Sequence, residues 1–237
     1  MVRFDRVRAE VAHHPGQRAR LEWDRLQRMS DVAVRNFREL LAILEAPERD
    51  PDLALELIQN VRPPDVRAEY FGQLDQRLHN YLASAGALID HVRRHVEGYK
   101  GTPFAREYAR RKGVVTAAPV SDFMKRLRNY LLHYRLLFLA HNVSVKGTEL
   151  APGTVDVRVE VSTETLLQWD GWHGQSRSYL RQAGEAVDIR AALLEYGRLL
   201  DDLYQWMFQQ FQQLHGSEIK DLNDLIDEGN RILAGED

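Results

Sequence analysis

Arg128, Asn129 and His133 fall within one short run, Arg128-Asn129-Tyr130-Leu131-Leu132-His133. These residue types suit chemistry at a phosphate. A His titrates near neutrality, so it can take or give a proton. An Arg fork meets two phosphate oxygens at once. An Asn amide can orient either group. The Arg-to-His spacing is cheap by itself: about one such pair is expected by chance here, and Arg8 with His13 is another instance. Requiring Asn directly after the Arg lowers that expectation to roughly 0.03.

The run lies inside Ser121 to His141, SDFMKRLRNYLLHYRLLFLAH, which reads as a helix with Ser121 as its cap after Pro119. Four residues apart, Asn129 and His133 share a face, and Arg126 and Asp122 fall on the same side. The apolar side carries Phe123, Leu127, Tyr130, Leu131, Tyr134 and Phe138. Arg128 stands about 140° around from His133, so it needs its long side chain, a bend or a second subunit to join the His. Arg126 is better placed within one subunit and is the reserve phosphate ligand. The plainer alternatives are a partly buried His133 bonded to Asn129 or to a carbonyl, and a surface ion pair for Arg128.

Other clusters are weaker. His91 and His95 stand one helical turn apart, as in helical metal sites, but Arg93 and Arg94 between them repel a cation and the HExxH glutamate is missing. No metal and no cofactor are expected. His13-His14 adjoins a Pro-Gly turn. Trp169-Asp170-Gly171-Trp172-His173-Gly174 is an aromatic loop that could stack bases, though such rings more often dock on the core. No glycine-rich phosphate loop follows a strand, and no serine elbow is present.

The elements that must hold the run are mostly helices. A short charged helix or arm over residues 1–16 stops at Pro15-Gly16. A helix follows over about 17–45, with Leu26, Met29, Ala33, Phe37, Leu40 and Leu44 as one stripe, closed by Pro47. A short helix runs from Pro51 to about Asn60. After Pro63-Pro64, residues 65–97 read as one long helix with Tyr70, Leu74, Leu78, Ala85, Val92 and Val96 on its stripe. A basic helix covers about 103–111. Val155, Val157, Val159 and Val161 alternate with Asp156, Arg158 and Glu160, a strand that pairs with Val143 and Val145 in a β-hairpin over about 142–161. Short helices follow at 163–168 and 176–182, then a long one capped by Asp188 and running to Leu214, then an acidic one over 217–233. The fold class is mainly α: a multi-helix bundle with one small hairpin insertion. A single domain is expected, residues 1–62 forming N-terminal helices and 63–237 the bundle core.

The chain has 237 residues, 44% hydrophobic and 28% charged, with a formal net charge of -3. The charge is segregated. Residues 93–135 hold eleven basic side chains against three acidic ones, and residues 201–237 hold two against nine. The candidate run therefore sits in the basic part, which would draw phosphates in unless those charges are solvated faces or meet the acidic tail. There is no cysteine, so disulfides, thiolate metal sites and a Cys nucleophile are excluded. No apolar run reaches membrane-spanning length and no signal core opens the chain, so a soluble, cytoplasmic protein is expected.

The run at Arg128-Asn129 and His133 resembles the signature of the HEPN family, helical nucleotide-binding domains with Arg, four to six residues, then His. What the resemblance implies is a metal-independent ribonuclease acting as a homodimer, with two motifs forming one composite site. His133 would be general acid or base, Arg128 would bind the phosphate, and Asn129 would orient one of them. The setting it implies is phage defence or a toxin pair, with RNA as substrate and a protein partner or antitoxin. Some toxins of the family carry a Tyr two residues after the His. Here that position is Arg135 and Tyr134 comes one residue early, which argues against that subgroup. The rival expectation is a non-catalytic helical interaction or scaffold protein.

Overall fold

A computed structural model of the chain describes residues 2–59, 65–137, 143–147 and 155–236. Among these the molecule is a mainly α bundle with a small sheet, as the hydrophobic periodicity predicts. The first half holds α1 (Val2–His13), α2 (Gly16–Arg49), α3 (Pro51–Gln59), α4 (Asp65–Glu97), α5 (Pro103–Ala117) and α6 (Pro119–His133). The expected hairpin follows as β1 (Val143–Gly147) and β2 (Val155–Ser162), antiparallel with position 145 opposite 157. Then come α7 (Thr163–Leu167), α8 (Gln175–Gln182), β3 (Ala186–Asp188) and α9 (Ile189–Ala234). The sequence pattern missed β3, which pairs antiparallel with β2 and sets Val161 opposite Val187. Three residues are too few to show a period.

The expected stripes face the core. Leu40, Leu44, Leu74, Leu78, Val92, Leu193 and Met207 are all buried in one contiguous apolar cluster that also takes in Phe123, Leu127 and Tyr130 from α6. The most extensive packing joins α2 to α4, with α9 against α2 and α6 against α8. Among the described residues, no helix is long and apolar enough to cross a membrane.

Five expected boundaries are corrected. Pro47 lies inside α2 rather than ending it. A proline there leaves the Ile43 carbonyl without its helical N–H, and the Tyr70 hydroxyl of α4 donates to that oxygen at 3.3 Å. The helix expected at 103–111 continues to Ala117, through Lys112-Gly113. The motif helix starts at Pro119 with Ala118, not Ser121, in the cap position, because proline suits the first turn and lacks an N–H to cap. It also stops at His133 instead of running on: Tyr134 leaves helical geometry, and the N–H groups of Tyr134 and Arg135 both close on the Tyr130 carbonyl. Phe138 and the rest of that stretch to Asn142 lie outside the described residues, as do Pro63-Pro64 and the hairpin loop. Finally, the two helices expected at 188–214 and 217–233 are one, α9, capped as expected by the Asp188 carboxylate on the Ala191 N–H at 2.9 Å. Gly216 weakens a helix by only about 1 kcal/mol and does not end this one.

Candidate functional site

α6 carries all four candidate residues. Its core face, Phe123, Leu127, Tyr130 and Leu131, is buried and fixes the rotation of the helix. That rotation sends the candidates to different places.

Arg128 turns inward. Its guanidinium lies against Gly86 of α4, so closely that a Cβ at Gly86 would sit 2.8 Å from Nη1. There it lines a cleft of about 360 Å³ between α4, α5, α6 and α9. Lys112 and Lys125 line the same cleft, with Arg93 and Asp90, which are themselves 3.3 Å apart. Four cations thus face one carboxylate. Apolar walls come from Ile89, Val115, Met124 and Leu200, and phenols from Tyr108, Tyr196 and Tyr204. Burial pushes the Tyr196 hydroxyl up to about 12, with Arg128 pulling the other way. Tyr204 is pushed well above the ordinary phenol value by burial and by the neighbouring Tyr108, Tyr196 and Tyr81. These hydroxyls therefore stay protonated near neutrality and can donate to an anion. The Arg128 Nε is shut off from solvent and has no hydrogen-bond partner. Among the described residues, no carboxylate pairs with the Arg128 guanidinium. A charge in that position is costly unless something meets it.

His133 is exposed on the last turn of α6 and is not part of the cleft wall. Asn129 is half-buried one turn earlier. Among the described residues, no hydrogen bond joins Arg128, Asn129 and His133 to one another. The regular helix keeps the angular separation expected from the sequence, so one copy does not bring the guanidinium to the imidazole.

Arg126, the expected reserve phosphate ligand, is engaged by other groups of the same chain. Its Nε donates to Asp122 at 3.3 Å, its Nη1 to the Gly171 carbonyl at 2.9 Å, and its Nη2 to His173 Nε2 at 2.6 Å. His173 is held as the matching tautomer, because its Nδ1–H donates to the Gly171 carbonyl at 2.9 Å. Asp122 also accepts the Ser176 N–H at 2.9 Å, at the start of α8. Burial pushes the Asp122 carboxyl up, but the bonds from Ser176 and Arg126 outweigh it and hold the group below its ordinary value. The aromatic loop is pinned here, and its Trp172 ring offers no free stacking face. Trp172 is buried, stacks on Phe123 at 5.5 Å and Tyr130 at 5.9 Å, and donates its Nε1–H to the Leu166 carbonyl.

Sequence reasoning missed the cleft itself. Gly86, Tyr108 and Tyr196 come from three other helices, and nothing local in the sequence links them to Arg128. The basic block over 93–135 was the available signal, since it supplies Arg93, Lys112, Lys125 and Arg128 together. The His91 and His95 pair gains no further ligand: among the described residues, no group of three His, Asp or Glu side chains is arranged to hold a metal ion. In comparisons with known proteins, the chain matches no family model, no curated protein and no solved structure.

Proposed function

We propose that this chain is an HEPN-like RNA-binding protein whose phosphate ligand is Arg128, and that strand cleavage belongs to two copies rather than one. The observation that carries the reading is the half-buried, unpaired guanidinium at the floor of a cationic, tyrosine-lined cleft. A phosphate satisfies it with a bidentate charge-assisted pair. Apolar and phenolic walls suit the base and sugar that accompany that phosphate.

Cleavage needs a proton acceptor for the 2′-hydroxyl, which attacks the adjacent phosphorus while the 5′-oxygen leaves with a proton. His133 is wet and chemically suited to this transfer. It reaches an Arg128-bound phosphate only from a second copy. Asn129 then orients that imidazole. The separation of Arg128 from His133 within one copy is also what favours the second reading, a helical protein that binds without cleaving.

RNA incubated with the protein in chelator separates these. Cleavage that leaves a cyclic phosphate, lost in Arg128→Ala and in His133→Ala but regained when the two variants are mixed, supports the two-copy site. Retained RNA binding without cleavage selects the binding reading. No RNA affinity at low salt removes both.

A further inference from the structure

The Arg128 cleft is longer than one phosphate needs. Gly86, which the guanidinium covers, and Arg93 both line it from α4. Seven residues apart, they share a face of that helix and stand about 10 Å from each other along its axis. Each end has its own phenol. Burial raises the Tyr196 pKa and Arg128 opposes it; burial raises the Tyr108 pKa and Arg93 opposes it. Each cation therefore stands near a different tyrosine. Lys125 lies one turn before Arg128 on α6, and Lys112 one turn after Tyr108 on α5. Neither lysine has an ion pair among the described residues. Between the ends sits Asp90, one turn beyond Gly86 and the one carboxylate in the wall among the described residues.

The donors are within reach of a ligand. Of the Arg128 nitrogens only Nε is shut off from solvent; Nη1 and Nη2 are open and unbonded among the described residues. Tyr108, Tyr196 and Tyr204 are buried residues, 5%, 6% and 6% exposed. Their hydroxyls are nonetheless open and unbonded in the same sense. A ligand that fits must carry anionic oxygens at two separated places. It must carry none in the middle, where the Asp90 carboxylate repels them.

We infer that the cleft binds one whole nucleotide together with the phosphates on both of its sides, the first at Arg128 and Lys125, the second at Lys112 and Arg93. This rests on the RNA-binding reading above and fixes its unit of recognition. A volume of about 360 Å³ suits a ligand of that size. Ile89, Val115 and Leu200 cover its apolar parts. Asp90 accepts from a sugar hydroxyl or a base N–H between the two phosphates. Arg93 is shared with Asp90 at 3.3 Å, so the half-buried, unpaired Lys112 is the main cation of the second position. The phenols of Tyr196 and Tyr108 add a neutral donor at each end.

Calorimetric titration of the full chain with three ligands tests this. A nucleoside 3′,5′-bisphosphate places one phosphate on each side of the sugar. A 5′-diphosphate carries both on one side, and a 5′-monophosphate carries a single one. The bisphosphate binds at least about tenfold tighter than either of the others. Lys112→Gln, folded as the parent by circular dichroism, removes most of that gain and leaves the other two ligands unchanged. Arg128→Gln weakens all three. Arg94→Gln, exposed and outside this cleft, changes none, which separates the site from bulk charge. The inference is overturned if the diphosphate matches the bisphosphate, or if Lys112→Gln leaves the bisphosphate unchanged. RNA that still binds at low salt in that event keeps the RNA-binding reading standing; RNA that does not bind removes both.

Discussion

Gly86 and Arg128 form one unit, since the missing Cβ is the space the guanidinium occupies. Gly86→Ala therefore displaces the flexible end of Arg128 rather than the backbone. Alanine is the better helix former by about 1 kcal/mol, so the melting temperature holds or rises. On the proposed RNA-binding reading, RNA affinity falls about tenfold, the equivalent of one charge-assisted contact, and fluorescence anisotropy reads it. Asp75 gives a second test at this scale. Its Oδ1 is buried without a partner, and burial raises the carboxyl to about 6. The folded value lies above the unfolded one, so the proton-bound form favours the fold. That stability is complete below about pH 4 and is lost as pH rises through about 6. Asp75→Asn should gain about 1–2 kcal/mol near pH 7.5 and nothing near pH 4 in urea unfolding, allowing for partial exposure. At this scale the sequence showed residue types and helical faces, but not partners. Arg126 and His173 are bonded across 47 positions, and Tyr99 and His215 across 116, so neither pair has a local trace.

Helices were legible wherever a long apolar stripe repeated. The stripe from Tyr70 to Val96 on α4 is buried at nearly every expected position. Their ends were less legible, because an end depends on what lies opposite. Pro47 reads as a stop until Tyr70 is seen to serve the carbonyl it strands. Gly216 reads as a break, yet the helix continues and an added Cβ would meet only Gln212 Cγ, at 3.7 Å. Gly216→Ala is therefore expected to stabilise the protein by about 0.5–1 kcal/mol, with no change in helix content by circular dichroism. A genuine break would instead lose stability on that substitution.

Across the molecule, among the described residues, the acidic end of α9 is met by arginines of the first two helices, outside the basic block: Arg3 lies 3.2 Å from Glu228, and Arg20 donates to Asn223 at 3.1 Å. Lys112, Lys125 and Arg128 are thereby left facing their cleft. The core is similarly uneven. Val7 and Leu222 are buried but stand outside the main apolar cluster, and α1 rests on α9 with Gly229 beneath Val7. Hydrogen exchange should therefore release amides of α1 and of residues 217–234 first and those of α4 last. Simultaneous release of all three would mean that the outlying layer is as firmly held as the centre.

The packing beside α6 also has an optical consequence. Trp169 and Trp172 stand edge to face at 5.2 Å, and Trp169 lies 6.1 Å from the Tyr134 ring, next in sequence to His133. Rigid, asymmetric indoles of this kind give a near-ultraviolet dichroic band. That corner carries its own unlabelled reporter, and a second copy or a nucleic acid settling on the end of the helix should register there as a change in colour rather than in mass.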